Sequence, residues 1–396
     1  MEGREKSRAS ASAVADGAGR LRYVDALRGI AALLVLWLHV SNGYRGLGTH
    51  SAWLDGFIAN VDVGRIGVVV FFLISGFVIP FSIRPDSAAP VGAFVIRRVF
   101  RIYPAYWLSV PLAAFVFYWG IGAVFPASAL VANFTLLQSV FGLPNAEGVY
   151  WTLIVELAFY ALCIALLLTR SLFDARRIAI LASVLALAHV FAMFMLWLGR
   201  PVVSVGAAFW PLNLSVMLWG ALYRLDTTGA ADRVSSMLLR ALGVLFVIAL
   251  PIGAALAVHT RVVYTIAYAL AFVVFLAGMR FVRIETKLTD WLGRISYSIY
   301  LFHPIVFQPI YLWLMGQPTD SPFRTQHLAT YLAANVALTL VVASLVYRFV
   351  EKPAIRLGHR LASAWEKRAE NTTTRARTLS PSVPANAPAI AEAAAG

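Results

Sequence analysis

Long apolar segments recur along nearly the whole chain and restrict its fold more than any other feature. Each approaches the length of about 20 residues that an α-helix needs to cross a bilayer. Charged residues make up 13% of the 396 residues, against roughly 25% in an average soluble domain. The sequence therefore predicts an all-α, polytopic membrane helix bundle. The ten predicted spans are Asp25–Asn42, Val63–Ile83, Tyr103–Val124, Tyr150–Thr169, Ile178–Leu198, Val205–Tyr223, Leu239–Val258, Val262–Met279, Ile295–Leu314 and Ala329–Val350.

The distribution of basic residues predicts the orientation of these spans. Lysine and arginine concentrate in the cytoplasmic loops of membrane proteins. With the N-terminus in the cytoplasm, all but five of the 33 basic residues fall in cytoplasmic segments. We therefore expect both termini to be cytoplasmic, and the protein to reside in the inner (plasma) membrane. The five exceptions are Arg45, Arg65, Arg200, Arg261 and Arg324.

A single transmembrane domain, over residues 23–358, is expected between two polar ends. Residues 1–22 and 359–396 lack apolar periodicity and are predicted to be a disordered cytoplasmic arm and tail. The apolar segment Ala127–Phe141 is short and contains Asn133 and Gln138. We interpret it as an outer re-entrant or interfacial piece, because an eleventh span would invert the orientation of every later loop.

Composition also limits the classes of partner. The formal net charge of +14 does not indicate a nucleic-acid binder, because the basic residues lie in short segments between apolar runs. The one cysteine, Cys163, lies inside an apolar run and is predicted to be structural. We predict neither a metal site nor a permanently bound cofactor.

Polar residues inside spans are candidates for function, since a charge within a bilayer is costly unless it has a partner or a wet cavity. The first span contains Arg28 near its cytoplasmic end and His39 three turns later, roughly 16 Å away on nearly the same face. A neutral imidazole there could act as a general base on a hydroxyl or as a nucleophile. A histidine that only bonds to a neighbouring helix fits this span equally well.

A second candidate group is Arg98 and Arg101, one helical turn apart beside Tyr103. Two such arginines can bind phosphate oxygens bidentately. The alternative is that they are ordinary inner-loop arginines next to an interfacial aromatic belt, which occurs in any membrane protein.

Two further spans carry buried titratable groups. Glu156 lies about two turns into a span whose outer mouth holds Trp151, so its carboxyl group should pair, accept hydrogen bonds or be protonated. His303 lies near mid-span, and Pro304 interrupts the helix just after it. His303 could cap the freed carbonyl groups or act directly, and the sequence leaves open whether His39 or His303 is the base.

Taken in this order, the residues resemble the acyltransferase-3 family of integral membrane acyltransferases, which includes bacterial glycan O-acetyltransferases. The resemblance covers about Tyr23–Arg356. The features that carry it are Arg28 and His39 with ten residues between, the FFLISGF run at Phe71–Phe77, the Arg-x-x-Arg at Arg98 and Arg101, Trp151 with Glu156, and SYSIYLFH ending at His303.

The resemblance implies an O-acyltransferase that moves an acyl group, acetyl by family precedent, from cytoplasmic acyl-CoA to a hydroxyl of a glycan or glycolipid. It implies that His39 is the essential histidine, and that Arg98 and Arg101 hold the phosphates of coenzyme A. Glu156 and Trp151 are expected to face the acceptor.

On the same resemblance, we also place Arg28 and Glu156 with His39 in the catalytic group. Tyr103, Trp151 and His303 join the two arginines among the substrate-binding residues. Some family members carry a periplasmic hydrolase-like domain after the core, and we expect the stand-alone form here. Acceptor recognition would then fall to the outer loops Gly43–Asn60 and Phe125–Gly148.

A different class of protein remains open from the sequence. A transporter or flippase of a lipid-linked saccharide would use the same intramembrane polar residues to line a path. The sequence shows no internal repeat of the kind that marks many transporters. The acceptor, the acyl chain length and the oligomeric state are not predicted.

Overall fold

The computed structural model describes residues 21–47, 49, 51–252 and 262–379. Within these residues the chain forms thirteen α-helices. They are α1 (Arg22–Tyr44), α2 (Ala52–Asn60), α3 (Val63–Val78), α4 (Pro90–Phe117), α5 (Ala127–Thr135), α6 (Tyr150–Leu168), α7 (Ala175–Trp197), α8 (Val205–Thr227), α9 (Arg233–Val244), α10 (Val262–Arg280), α11 (Lys287–Met315), α12 (Leu328–Val346) and α13 (Lys352–Leu379), with π-helical turns at Leu245–Ala249 after α9 and Tyr347–Glu351 after α12.

The predicted all-α fold and the number of spans are confirmed. In the described residues, ten helical segments are long and apolar enough to cross a membrane, and the one β-type contact is an isolated bridge between Thr49 and His327. The predicted span Leu239–Val258 is helical as far as Ile252, and residues 253–258 lie outside the described residues.

The third span begins earlier than predicted. Helix α4 starts at Pro90 rather than at Tyr103, and so Arg98 and Arg101 lie inside the helix. Proline is favoured at the first helical position, because its fixed φ angle and missing N–H suit a helix start. The arginines can continue the helix because each one finds a partner within the bundle, as described below.

The segment Ala127–Phe141 does not form an eleventh span. Only Ala127–Thr135 is helical, as α5, and the end of this helix lies against the middle of α4. There the Tyr106 hydroxyl donates to the Asn133 carbonyl at 2.6 Å, and the Trp107 indole donates to the Phe134 carbonyl at 2.9 Å. The chain then turns back through Leu136, which has a positive φ of 64°.

The predicted disorder after residue 358 is wrong for the part of the tail that the structure describes. Helix α13 continues to Leu379, and it packs along the first half of α4. The Trp365 ring covers Gly92, where a Cβ would collide with it, and the Ser87 hydroxyl donates to Glu366 at 2.8 Å. The sequence did not predict this helix because most of its residues are polar and its apolar residues lie along one face only. Residues 1–20 of the predicted arm and 380–396 of the tail lie outside the described residues.

Helices α1 and α11 pack side by side and in parallel. A Cβ added at Gly29 would lie 3.1 Å from the backbone nitrogen of Gly293, and a Cβ at Gly43 would collide with the Phe307 ring. Small residues allow such close helix contacts in membranes. The two contacts keep the same register along both helices, and this register places the histidine of α1 opposite the histidine of α11.

We call the end of the bundle where α1 begins the proximal end, and the end where α1 finishes the distal end. Helix α3 returns antiparallel to α1, since its first turn at Gly64 meets Leu38 near the end of α1. Because successive spans alternate in direction, α3, α6, α8 and α10 all begin at the distal end, and α4, α7, α9 and α11 begin at the proximal end.

Candidate active site

The two histidines that the sequence singled out are in contact. His39 Nδ1 lies 3.2 Å from His303 Nε2, and the two ring centroids are 5.0 Å apart. His39 Nδ1 also lies 2.9 Å from the Val35 carbonyl oxygen. His303 Nδ1 lies 2.8 Å from the Tyr300 carbonyl oxygen and 3.1 Å from that of Ile299.

This hydrogen-bond network determines the tautomers of the neutral pair. A carbonyl oxygen only accepts, so His303 carries its proton on Nδ1, and its Nε2 is an acceptor. His39 Nδ1 faces that acceptor and the Val35 carbonyl, so it carries the proton of its own ring. The second nitrogen of His39, Nε2, therefore keeps a lone pair. This is the tautomer that a general base or a nucleophile requires.

The two histidines differ in access to a substrate. His303 is 1% exposed and has both ring nitrogens engaged, whereas His39 is half-buried and has Nε2 free of the contacts described above. Of the two histidines between which the sequence left the choice open, His39 therefore has the geometry better suited to a base. His303 is suited to position the ring of His39 and to stabilise its protonated form.

A cavity with about 490 Å³ of empty space lies between α1, α3, α6 and α11, and we call it the central cavity. Neither histidine lines it. Tyr300 lines it and connects it to the histidine pair, because its ring lies 6.1 Å from that of His303. The polar residues of its wall are Arg28, Ser75, Thr152, Glu156, Tyr297 and Tyr300.

Arg28 and Glu156 both line the central cavity. The Nε atom of Arg28 is buried without a hydrogen-bond partner among the described residues, although Glu156 and Glu351 lie close enough to attract its charge. Glu156 accepts a hydrogen bond of 2.6 Å from the Tyr160 hydroxyl. A guanidinium group with a free donor in a cavity wall is suited to bind a carbonyl or an anionic oxygen.

Arg101 is paired with a carboxylate rather than free to hold a phosphate. Its Nη1 donates to Glu351 Oε1 at 2.5 Å, and the Glu351 side chain is 0% exposed. The second oxygen of Glu351 accepts from the Ser298 hydroxyl at 2.7 Å. Glu351 was missed in the sequence. The available signal was a carboxylate immediately after the last apolar run, at the same end of the bundle as several arginines.

Arg98 and its neighbour Arg97 have different partners from Arg101, although all three lie within about one turn of α4. Arg98 Nη2 donates to the Ser82 hydroxyl, and its guanidinium lies 5.3 Å from the centre of the Tyr160 ring. Arg97 Nη1 lies 3.7 Å from a Glu366 oxygen. Arg98 Nε and Arg97 Nη2 are both buried without a hydrogen-bond partner in the described part of the chain.

The charges around this pair of arginines are mixed. Glu366 attracts Arg97, whereas Arg84 and Arg98 repel it, and His359 of α13 lies within electrostatic range of both arginines. Buried donors that lack partners are a feature of anion-binding sites. Because Arg101 is paired with Glu351, Arg97 and Arg98 are better suited than Arg98 and Arg101 to bind an anion.

Tyr103 and Trp151 lie apart from the arginines. The Tyr103 hydroxyl donates to the Thr135 carbonyl at 3.0 Å and so holds the end of α5 against α4. Trp151 lines a second cavity, at the distal end. Its ring contacts Phe72 edge-on, with 6.2 Å between the centroids, and Phe72 lines the central cavity. Trp151 and Phe72 therefore separate the two cavities.

Comparisons with known proteins identify the family of the chain. A family model described as an acyltransferase domain matches residues 21–348. The relative named "Putative membrane-bound transacylase BcsY", from Komagataeibacter xylinus, is 26% identical over 378 residues, which cover 88% of this chain and 86% of that protein. No solved structure matches the chain.

Two other relatives match shorter stretches. "Nodulation protein 10" of Rhizobium leguminosarum bv. viciae is 29% identical over 169 residues, or 36% of this chain and 43% of that protein. "Acyltransferase MdmB" of Streptomyces mycarofaciens is 29% identical over 153 residues, or 36% of this chain and 38% of that protein. This chain therefore spans less than half the length of either protein.

Ten apolar spans and an acyltransferase family model together define a multi-pass membrane acyltransferase. The chain belongs to the acyltransferase-3 family, since that model covers most of its length. Membership of an enzyme family decides against the transporter or flippase that the sequence left open.

Proposed function

We propose that this enzyme moves an acyl group, acetyl by family precedent, from cytoplasmic acyl-CoA to a hydroxyl of a glycan or glycolipid. We place it in the inner membrane with its proximal end toward the cytoplasm. The observation that carries the proposal is the His39–His303 contact, which leaves His39 Nε2 as a free base within the bundle.

The donor enters at the proximal end. Arg97 and Arg98 hold phosphate oxygens of acyl-CoA with their unpartnered donors. The thioester end extends into the central cavity, where Arg28 offers a buried N–H to a carbonyl or anionic oxygen of the donor. Acyl-CoA acts as a co-substrate in this scheme and is not a resident cofactor.

The chemical step uses the histidine pair. His39 Nε2 accepts the proton of the acceptor hydroxyl, and the hydroxyl oxygen attacks the thioester carbonyl carbon. The new C–O bond forms, the C–S bond breaks, and the proton passes from His39 to the departing thiolate of coenzyme A. During the step His303 Nε2 accepts from His39 Nδ1 at 3.2 Å and stabilises the transient imidazolium.

The test is release of coenzyme A from acetyl-CoA by the purified, detergent-solubilised protein, with a crude glycan or glycolipid extract as acceptor. Wild type should release coenzyme A only when the extract is present, and His39→Ala should release none. His327→Gln is the control, since His327 is an exposed histidine at the start of α12 whose Nδ1 accepts from the Ala329 N–H, and it lines neither cavity; it should keep the activity.

Two results would contradict the proposal. Release by His39→Ala at the wild-type rate would remove His39 from the reaction. A folded wild-type protein that releases no coenzyme A from any acyl-CoA, with any extract, would show that the donor is wrong.

A further inference from the structure

A second cavity, larger than the central one, opens at the distal end and has about 1010 Å³ of empty space. Its wall is made by α3, α6, α8 and α10, which all begin at this end. We call it the distal cavity. Its lining residues are Arg65, Trp151, Val205, Gly206, Phe209, Trp210, Asn213 and Tyr264.

The wall of the distal cavity is mostly aromatic. Trp151, Phe209, Trp210 and Tyr264 contribute four rings from three helices. The face of an aromatic ring is electrostatically negative, so it packs favourably against the C–H groups on the face of a pyranose ring. Binding sites combine such apolar walls with a few polar groups that fix orientation, and Asn213 supplies one here. Its side chain is fixed by the Tyr268 hydroxyl, which donates to the amide oxygen at 2.5 Å.

The charge of the wall favours a neutral ligand. Arg65 is the only charged residue among the described residues that line the cavity. Its Nε lies 3.1 Å from Asp62 Oδ2, and its guanidinium lies 4.1 Å from the centre of the Tyr264 ring. Because this cation already has a carboxylate and an aromatic face as partners, the cavity offers an anionic headgroup no free charge.

The distal cavity lies next to the central cavity, in which the reaction is proposed to occur. Trp151 forms its inner boundary and contacts Phe72 edge-on. Phe72 lines the central cavity, as does Tyr300, whose ring lies next to that of His303. A ligand in the distal cavity is therefore separated by one pair of aromatic rings from the space in which the thioester is proposed to lie.

We propose that the distal cavity is the acceptor subsite, and that its aromatic residues stack against an uncharged sugar ring whose hydroxyl is directed toward His39. The inference rests on the proposed function and names the class of its acceptor. It also moves acceptor recognition from the outer loops, where the sequence placed it, to the first turns of α6, α8 and α10.

The test is protection of an engineered cysteine. The native Cys163 is 0% exposed and should not react with a bulky hydrophilic maleimide. Phe209→Cys places a thiol in the cavity wall. Val202→Cys is the matched control, because Val202 is 55% exposed, lies just before α8 and does not line the cavity. The probes are short neutral cello- and manno-oligosaccharides, added to the full-length protein in detergent.

At least one neutral oligosaccharide should slow labelling of Phe209→Cys several-fold and leave Val202→Cys unaffected. Unchanged labelling at position 209 with every oligosaccharide would overturn the inference. So would slowing by phosphatidylglycerol vesicles without sugar, because the cavity would then be a lipid site. Labelling requires no acyl transfer, and its outcome is therefore independent of whether the proposed reaction is correct.

A second variant tests the same subsite in turnover. Trp210→Ala should raise the KM for the acceptor extract about tenfold, since it removes one stacking surface, and leave the KM for acetyl-CoA unchanged. Trp210→Phe keeps an aromatic face and should recover most of the affinity. An equal rise of both KM values in Trp210→Ala, or no rescue by phenylalanine, would assign Trp210 a purely structural role and count against the subsite.

Discussion

The arginines at the two ends of the bundle differ in whether they keep buried donors without partners. At the proximal end, Arg97 and Arg98 each keep a buried nitrogen without a hydrogen-bond partner in the described residues. At the distal end, Arg65 is paired with Asp62 and covers the ring of Tyr264. A buried donor without a partner is costly, and it is tolerated where a ligand supplies the missing acceptor. The difference is consistent with the anionic donor proposed for the proximal end and the neutral acceptor proposed for the distal end.

A similar contrast exists within α4 itself. Arg98 and Arg101 are separated by less than one helical turn, yet Arg101 is neutralised by the buried Glu351 and Arg98 is not. The Arg-x-x-Arg pattern thus contains one arginine that is paired within the bundle and one that keeps an unpartnered donor in the described residues.

The largest expected effect is on kcat/KM, from substitution of His39, which lies between the two ends of the bundle. His39→Gln should lower kcat/KM by roughly 10²–10⁴, the usual contribution of a general base, without loss of folded protein. His303→Leu should lower kcat less and leave both KM values unchanged, whereas His303→Gln should recover part of the loss because its amide oxygen can accept from His39 Nδ1. Steady-state kinetics with acetyl-CoA provides the measurement.

The double variant tests whether the two histidines act as a unit. Removing both should cost little more than removing His39 alone, since residues that act together show non-additive effects. Fully additive losses would mean that His303 contributes independently of His39, and the positioning role would be wrong.

The next effect is on the stability of the protein, from loss of the ion pair between Arg101 and Glu351. Glu351→Ala leaves the Arg101 guanidinium buried without its carboxylate and should cost about 3–5 kcal/mol of stability. Replacing both partners, as Arg101→Met with Glu351→Leu, should recover most of that loss, because a buried ion pair is often replaceable by apolar side chains. Thermal unfolding in detergent measures both variants. A Glu351→Ala protein as stable as wild type would contradict the structural role of the pair.

These contrasts show which parts of the protein the sequence could predict. The spans, and the location of Arg28 and His39 on nearly the same helix face, follow from local periodicity. His303 was identified as a candidate because it is a histidine near the middle of a span. The partner of Arg101 was not predictable in the same way, because Glu351 lies 250 positions further along the chain and only the packed bundle brings the two together. The continuation of α13 was missed for the same reason, since its apolar face is defined by α4.

A smaller effect tests the anion site at the proximal end. Arg98→Gln should raise the KM for acetyl-CoA roughly ten- to a hundredfold, the range for loss of a hydrogen bond to a charged group, with little change in kcat or melting temperature. Arg177→Gln is the matched control, because Arg177 begins α7 at the same end, is 59% exposed and pairs with Asp174. Unchanged KM values in both Arg97→Gln and Arg98→Gln would remove the phosphate-binding role.

The last prediction concerns Glu147, in the connection before α6 near the distal end. Burial of its side chain raises the pKa of this carboxyl group to about 8, although the Val149 backbone N–H donates to Oε1 at 3.1 Å. The folded protein then keeps a proton that the unfolded chain loses above its ordinary value of 4.5. Stability should therefore fall as the pH rises between these two values, by up to about 1.4 kcal/mol per pH unit.

Glu147→Gln should flatten this dependence, since a glutamine cannot ionise. Melting temperatures of both proteins between pH 5 and 8 provide the test. Parallel curves for the variant and wild type would show that the carboxyl group is ionised in the folded protein. In that case the distal end would carry a buried charge. The argument that the acceptor is neutral, which rests on the absence of free charge at this end, would then be weaker.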